Sequence, residues 1–236
     1  MAKLYSWQRV LAVIVASGAV ACAAMRPEPA LVAQVLSTHG GALESFQRES
    51  DLRVHYGFPG TWRWRIAYRK PRRFALTLIT DHGDQEYVSD GDTVRGYADG
   101  ALLVSEPLES SALASLVRWT AVTTLTGLDD GRLRVAEREP VDETAGGESG
   151  KSLALRWASA EASFVLTIGP DGSVRTAAGP IEIPPIGSGR LRAEFSDYRR
   201  VRGYLLPFRI AYFLNDQPLL DETVLEFIPD PQGFQD

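Results

Sequence analysis

Three observations predict a mainly β protein (α+β) built on one antiparallel sheet. Residues 61–97 read as three consecutive antiparallel strands joined by tight turns, residues 132–228 add a long series of short strand-like runs, and helical periodicity occurs at only two places. About eleven short strands with so little helix fit a sheet bent into an open, unclosed barrel. The chain has 236 residues, enough for one large β domain or at most two small ones, and no repeat, low-complexity tract or second domain is apparent.

The elements follow in chain order. Residues 1–21 have the form of an export signal: Lys3 and Arg9 precede an apolar run at 10–20 that is too short to read as a membrane-spanning helix. Ala19-Val20-Ala21-Cys22 resembles a lipobox, in which Cys22 becomes the lipidated first residue of the mature chain. Ala19 stands where leucine is usual, and Ala19-x-Ala21 also satisfies ordinary A-x-A cleavage. Cys22 is the sole cysteine, so no internal disulfide is available and the residue falls at the one position where lipidation would use it. Ala23 and Ala24 follow Cys22. Residues 22–30 read as a tether, with the folded domain expected over 31–236.

Residues 27–50 contain one amphipathic helix, with Leu31, Val32, Val35 and Leu36 at helical spacing. Gly40-Gly41 interrupts or ends its first segment, and Leu43 and Phe46 are expected to continue the stripe. The first strand is expected at 51–56, with Leu52, Val54 and Tyr56 on one face, followed by the turn Gly57-Phe58-Pro59-Gly60. Trp62, Trp64, Ile66 and Tyr68 then alternate with Arg63, Arg65, Ala67 and Arg69, so one face is aromatic and the other largely basic. Lys70-Pro71 ends that strand, since proline cannot donate to a ladder. Residues 74–79 are apolar at nearly every position, a strand buried on both faces or with a partly wet outer face. Asp81-His82-Gly83-Asp84 and Ser89-Asp90-Gly91-Asp92 carry turn chemistry.

Residues 109–128 form the clearest helix. Ser110 or Ser111 can cap it, Leu113, Leu116, Val117, Thr120 and Leu125 make its stripe, and Gly127 can end it, with Trp119 off the centre of the stripe. Short runs at 132–137, 152–157, 163–168, 174–177, 191–198, 204–213 and 222–228 complete the sheet. Pro170-Asp171-Gly172 and Asn215-Asp216 are hairpin signals, while 142–150 is polar and loop-like.

The order of aromatic strand, Lys70-Pro71, apolar strand, polar turn, Val88-Ser89-Asp90-Gly91 and Tyr97 resembles the LolA/LolB group of periplasmic lipoprotein carriers and receptors, with LppX and RseB as wider relatives. Arg202-Gly203-Tyr204-Leu205-Leu206-Pro207-Phe208 is similar to a hairpin near the end of such domains. The resemblance spans most of the chain after the leader. It implies an open β-barrel with an N-terminal helix against the sheet and a helical lid across its mouth, where the plain alternative is a helix that simply covers a sheet face. It implies a non-catalytic lipoprotein of the outer membrane, facing the periplasm, whose partner is a lipid, an acyl chain or an acylated lipoprotein. The alternative is an RseB-like envelope sensor or assembly subunit with an envelope protein as partner.

The residues expected to line an apolar cavity are Trp62, Trp64, Tyr68, Leu76, Leu78, Leu113, Leu116 and Val117; a one-residue change of register would turn the strand members outward. Lys70 occupies the position at which LolA-like carriers hold an arginine that bonds to the lid. A lysine there lacks the bidentate fork, which puts a carrier-type lock in doubt. Phe58, at a turn tip, either contacts acyl chains at the membrane or folds onto the core.

Catalytic chemistry finds no support. His39, His55 and His82 have no metal-ligand spacing, there is no C-x-x-C, no nucleophile elbow and no phosphate-binding glycine loop, so no metal and no cofactor is implied. Asp81-His82-x-Asp84 reads as solvated turn residues. A formal net charge of −5 argues against a general nucleic-acid binder. The basic residues Arg63, Arg65, Arg69, Lys70, Arg72 and Arg73, and a second group at Arg199, Arg200 and Arg202, either meet anionic head groups or form a wet sheet face paired with acids.

Overall fold

Alternating burial along the strands dictates the architecture. A computed structural model describes residues 29–57, 59–70, 73–81, 83–90, 92–107, 112–126, 128, 132–135, 151–157, 162–183 and 187–230. The leader, Cys22, Phe58, Arg72, His82 and the loop at 142–150 lie outside the described residues.

Helix α1 (Pro29–His39) starts two residues inside the predicted tether and is followed by β1 (Ser45–Val54), β2 (Gly60–Arg69), β3 (Arg73–Thr80), β4 (Gly83–Ser89), β5 (Thr93–Ala98) and β6 (Ala101–Pro107). Helix α2 (Ala112–Thr123) leads to β7 (Leu133–Val135), β8 (Lys151–Trp157), β9 (Ser163–Ile168), β10 (Val174–Ile183), β11 (Gly187–Val201), β12 (Tyr204–Leu214) and β13 (Gln217–Pro229). All belong to one antiparallel sheet in the order β6-β5-β4-β3-β2-β1-β13-β12-β11-β10-β9-β8-β7. Two meanders thus meet at the β1–β13 pair, and among the described residues β6 and β7 are the end strands and the sheet does not close. The connection carrying α2 runs from one edge to the other.

Thirteen strands replace the expected eleven or so. The two edge strands are the hardest to read. β6 offers two adjacent exposed leucines rather than alternation, with Leu102 58% and Leu103 62% exposed, and β7 is three residues long. The beginning of the sheet also differs from expectation. Gly40 and Gly41 both take positive φ, and the Gly41 N–H donates to Leu36 O, so the helix stops there. Leu43 and Phe46 therefore do not extend a helical stripe, and β1 begins at Ser45, six residues before the expected start. Its inward parity is Phe46, Arg48, Ser50, Leu52 and Val54. Two polar residues on that parity broke the apolar alternation that would have revealed the strand. Tyr56, expected on the strand, lies beyond it and is exposed.

The hairpins follow their turn chemistry. Asp90 Oδ1 accepts from the N–H groups of Asp92 and Thr93 between β4 and β5, and Asn215 and Asp216 both take positive φ, the requirement of a type I′ turn. On the outer face of β2, Arg63 pairs with Asp51 and Glu49, and Arg65 with Glu49, along the β1–β2 register. In the second basic group, Arg199 pairs with Asp197 and lies over the Phe208 ring, while Arg200 and Arg202 donate to backbone carbonyls. Arg63, Arg65 and Arg199 are thus paired with acids on a wet sheet face, as the plainer expectation has it for them.

Two apolar clusters fill the inner side: one joins β1–β3 and β5 to Leu206, Phe208, Val224 and Phe227 of β12 and β13, and the other lies under β7–β13 with Leu31 and Val35 of α1. Helix α2 serves both: Leu113, Ala114 and Val117 pack in the first, and Trp119, Ala121 and Val122 in the second. Trp119, expected off the stripe, is buried. Its Nε1–H donates to Pro180 O on β10 at 3.0 Å, and its ring meets Phe164 edge-on.

Candidate functional site

The strand register stacks inward side chains in successive rows across β1–β4. One row is Ser50, Trp64, Leu78 and Gln85; the next is Arg48, Ile66, Leu76 and Tyr87; the third is Phe46, Tyr68, Phe74 and Ser89. The third row is sealed. Phe46 stacks on Tyr68 and on Phe227 with ring centroids 5.6 and 5.1 Å apart. Arg132, just before β7, places its guanidinium over both the Tyr68 and the Trp157 rings and donates to the Tyr68 hydroxyl.

Above this floor lies a cavity of about 370 Å³, within the range of small-molecule sites. Trp62, Trp64, Leu76 and Leu78 form its wall on β2 and β3, and Leu113 and Leu116 of α2 lie across from them. Tyr87, Val94 and Val104 continue the wall toward one edge of the sheet, and Ile181, Leu191 and Leu219 toward the other half. Six of the eight residues expected to line a cavity therefore do so. Tyr68 and Val117 do not: Tyr68 belongs to the floor and Val117 to the packed core. Lys70 pairs with Glu44, in the turn before β1, with Nζ 3.2 Å from Oε1.

Behind Arg48, Trp64 and Tyr212 of the cavity wall lies a buried polar group that sequence reasoning missed. Glu222 of β13 is buried, and its carboxylate accepts from Ser50 Oγ at 2.7 Å, from Trp64 Nε1 at 3.2 Å and from the Tyr212 hydroxyl at 3.0 Å. Burial, with the charge of Glu222 adding to it, pushes the Tyr212 phenol far above its ordinary pKa and keeps it a donor. Arg48 is 6% exposed and also lines the cavity. Its guanidinium sits 5.7 Å from the Trp64 ring centroid. Arg48 Nε lies 3.2 Å from Glu222 Oε1, close enough for an ion pair, yet its N–H is not aligned on that oxygen and makes no hydrogen bond. The signal that could have found this group is parity: once β1 starts at Ser45, Arg48 and Ser50 must face inward with Phe46 and Leu52.

The arrangement can hold an apolar chain and present one cation to it. The donors to Glu222 are already committed to that carboxylate. Among the described residues no helix is long and apolar enough to cross a membrane, which says nothing of strands.

No protein-family profile and no curated protein sequence matches the chain. Solved structures do. A LolA superfamily protein from Nitrosomonas europaea aligns with a TM-score of 0.56 at 11% identity, covering 86% of this chain and 93% of its own. A structure from Vibrio parahaemolyticus, assigned as an outer membrane lipoprotein-sorting protein domain, aligns with a TM-score of 0.51 at 10% identity over 88% of this chain and 93% of its own. A DUF1329 family protein from Desulfovibrio piger aligns with a TM-score of 0.57 at 14% identity over 90% and 96%. The order of elements, the unclosed antiparallel sheet and these alignments give the chain the fold of the LolA superfamily.

Proposed function

We propose that this chain is a periplasm-facing lipoprotein that holds an acyl chain, a lipid or the acyl group of a lipoprotein in the cavity beneath α2, and transfers or localises it at the outer membrane without breaking a bond. The observation that carries this reading is the apolar cavity of about 370 Å³ walled by Trp62, Trp64, Leu76 and Leu78 and covered by Leu113 and Leu116. Each methylene buried there is worth about 0.8 kcal/mol, so a chain of modest length is held without a polar anchor. In this reading α2 is a lid, residues 1–21 are a signal peptide, residues 22–30 a tether, and Cys22 the lipidated anchor. The lipoprotein-sorting assignment of the Vibrio neighbour is consistent with it.

Native mass spectrometry of the chain beginning after Cys22, purified without harsh detergent, tests the proposal. Co-purified acyl or lipid mass is expected, and Leu116→Glu, which places a charge in the cavity wall, is expected to abolish it. A clean apo mass with no uptake from offered lipids would instead favour the protein-partner reading. The exposed Leu102 and Leu103 on edge strand β6 would then be the surface to probe.

A further inference from the structure

Among the described residues three charged side chains border the cavity: Arg48, Glu106 and Glu182. Arg48 is ion-paired with Glu222, so those two together are neutral. Glu182 is exposed and follows the buried Ile181 on β10, and alternation turns its side chain to the opposite face of the sheet. Glu106 is different. On β6 it lies opposite Val94, which is buried and lines the cavity, and Val104, two residues before it, lines the cavity too. Val104 and Glu106 are half-buried while Ser105 and Pro107 are exposed, so the Glu106 side chain is on the inner face. Its carboxylate makes no hydrogen bond and no ion pair among the described residues. Arg118, the one basic residue of α2, donates to Ser115 and does not line the cavity. Gln85, also on the lining, is uncharged, and its Oε1 accepts from the Tyr87 hydroxyl at 3.2 Å. A carboxylate turned toward an apolar wall loses part of its hydration, and here no protein donor replaces it.

We propose that the cavity takes an amphiphile with one alkyl or acyl chain and a cationic nitrogen, the chain lying along Trp64, Leu76 and Leu116 and an ammonium N–H donating to the Glu106 carboxylate on β6. The inference rests on the cavity being a lipid site, as proposed above, and names the head group of what enters it. Glu106 is half-buried on an end strand with exposed neighbours, so the head group keeps part of its hydration while the chain is covered. An ammonium supplies both the opposite charge and the donor that Glu106 lacks. An uncharged hydroxyl supplies only the donor. A carboxylate supplies neither and brings a like charge to the same wall.

The test uses the full chain at neutral pH and three ten-carbon probes: decylammonium, decanol and decanoate. Trp62, Trp64 and Trp119 all line the cavity, so intrinsic tryptophan fluorescence reports occupancy. Decylammonium is expected to bind about tenfold more tightly than decanol, the ratio that one charge-assisted hydrogen bond supplies, and decanoate more weakly than either. Glu106→Gln, its fold checked by circular dichroism, is expected to keep the decanol affinity and to lose the preference for the cation. Glu86→Gln removes the same charge from the outer face of β4, between Gln85 and Tyr87 of the lining, and is expected to keep that preference. Decanol or decanoate binding the parent chain as tightly as decylammonium overturns the proposal while leaving the cavity a lipid site. A preference that survives Glu106→Gln, or that Glu86→Gln removes equally, overturns the role of Glu106 and traces the selectivity to the net negative charge of the chain. A Glu106→Gln chain that no longer binds decanol makes Glu106 a structural residue and overturns the proposal as well. Binding of none of the three probes by the parent chain removes both this inference and the lipid-site reading beneath it.

Discussion

Glu222 is the residue on which the interior of the sheet depends most. It is buried, it accepts three hydrogen bonds from neutral donors, and it is the counter-charge of Arg48. Glu222→Ala strands a buried guanidinium and three donors at once, so a loss of about 3–5 kcal/mol in urea unfolding is expected. Glu222→Gln, which keeps an acceptor, should cost less. His39 provides the pH dependence. Its Nδ1–H donates to Leu205 O at 2.8 Å, and its Nε2 accepts from the Val174 N–H at 3.3 Å, which fixes the neutral tautomer. Burial lowers its pKa from the ordinary 6.5, with the Leu205 carbonyl and Asp171 opposing and Arg200 assisting. A base whose pKa is lowered by folding contributes stability that is complete above its unfolded pKa and is lost as pH falls through the folded one. The melting temperature should therefore fall on acidification below pH 6.5. Asp90, Asp171 and Asp197 have carboxyl pKa values held below the ordinary 3.8 by hydrogen bonds and contribute only at lower pH. His39→Gln is expected to melt lower at neutral pH and to flatten the response to acidification below pH 6.5. An unchanged slope in that variant would exclude His39 as its source.

Helix α2 shows why an element's role is not a property of its own sequence. Its stripe of Leu113, Leu116 and Val117 was legible, and so was its position in the chain. Trp119 was not. It looks peripheral on an isolated helix and becomes central because β10 presents the Pro180 carbonyl and the Phe164 ring sits edge-on to it. Trp119→Ala should cost about 3–5 kcal/mol in chemical denaturation, the range for deleting a large buried aromatic. It should also enlarge the cavity that Trp119 lines. Strand β1 makes the converse point. Its alternation was broken by Arg48 and Ser50, which face inward because they serve Glu222. The local pattern failed where the interior is polar, and that is the place where the cavity acquires its one cation.

At the scale of the molecule, two meanders joined at β1–β13 put β6 and β7 at the two ends of the sheet among the described residues, and side chains add links that the ladder does not make. Arg132 reaches from the start of β7 to Tyr68 on β2 and Trp157 on β8. Arg132→Met removes this bridge at an expected cost of about 1–2 kcal/mol. Hydrogen exchange should quicken in β7 and β8 while the β11–β13 ladder keeps its protection. Uniform acceleration over the whole sheet would show that the bridge is not local to that edge.

The sequence by itself determined the mainly antiparallel β class, the two helices, the hairpin turns and the aromatic face of β2. Each of these is written in local periodicity or in turn chemistry, which act over a few residues. Tertiary structure alone decided which face of β2 is the inner one, because alternation fixes two faces but not the side on which the core lies. It placed Trp62 and Trp64 in the cavity wall and Tyr68, on the same strand face, in its floor, a distinction set by strand register. It also brought Arg48, Ser50, Trp64, Tyr212 and Glu222 to one point. Those residues span more than 170 positions of chain between Ser50 and Glu222, and no local signal connects them. Only the β1–β13 pairing, formed between the first strand and the last, makes them neighbours.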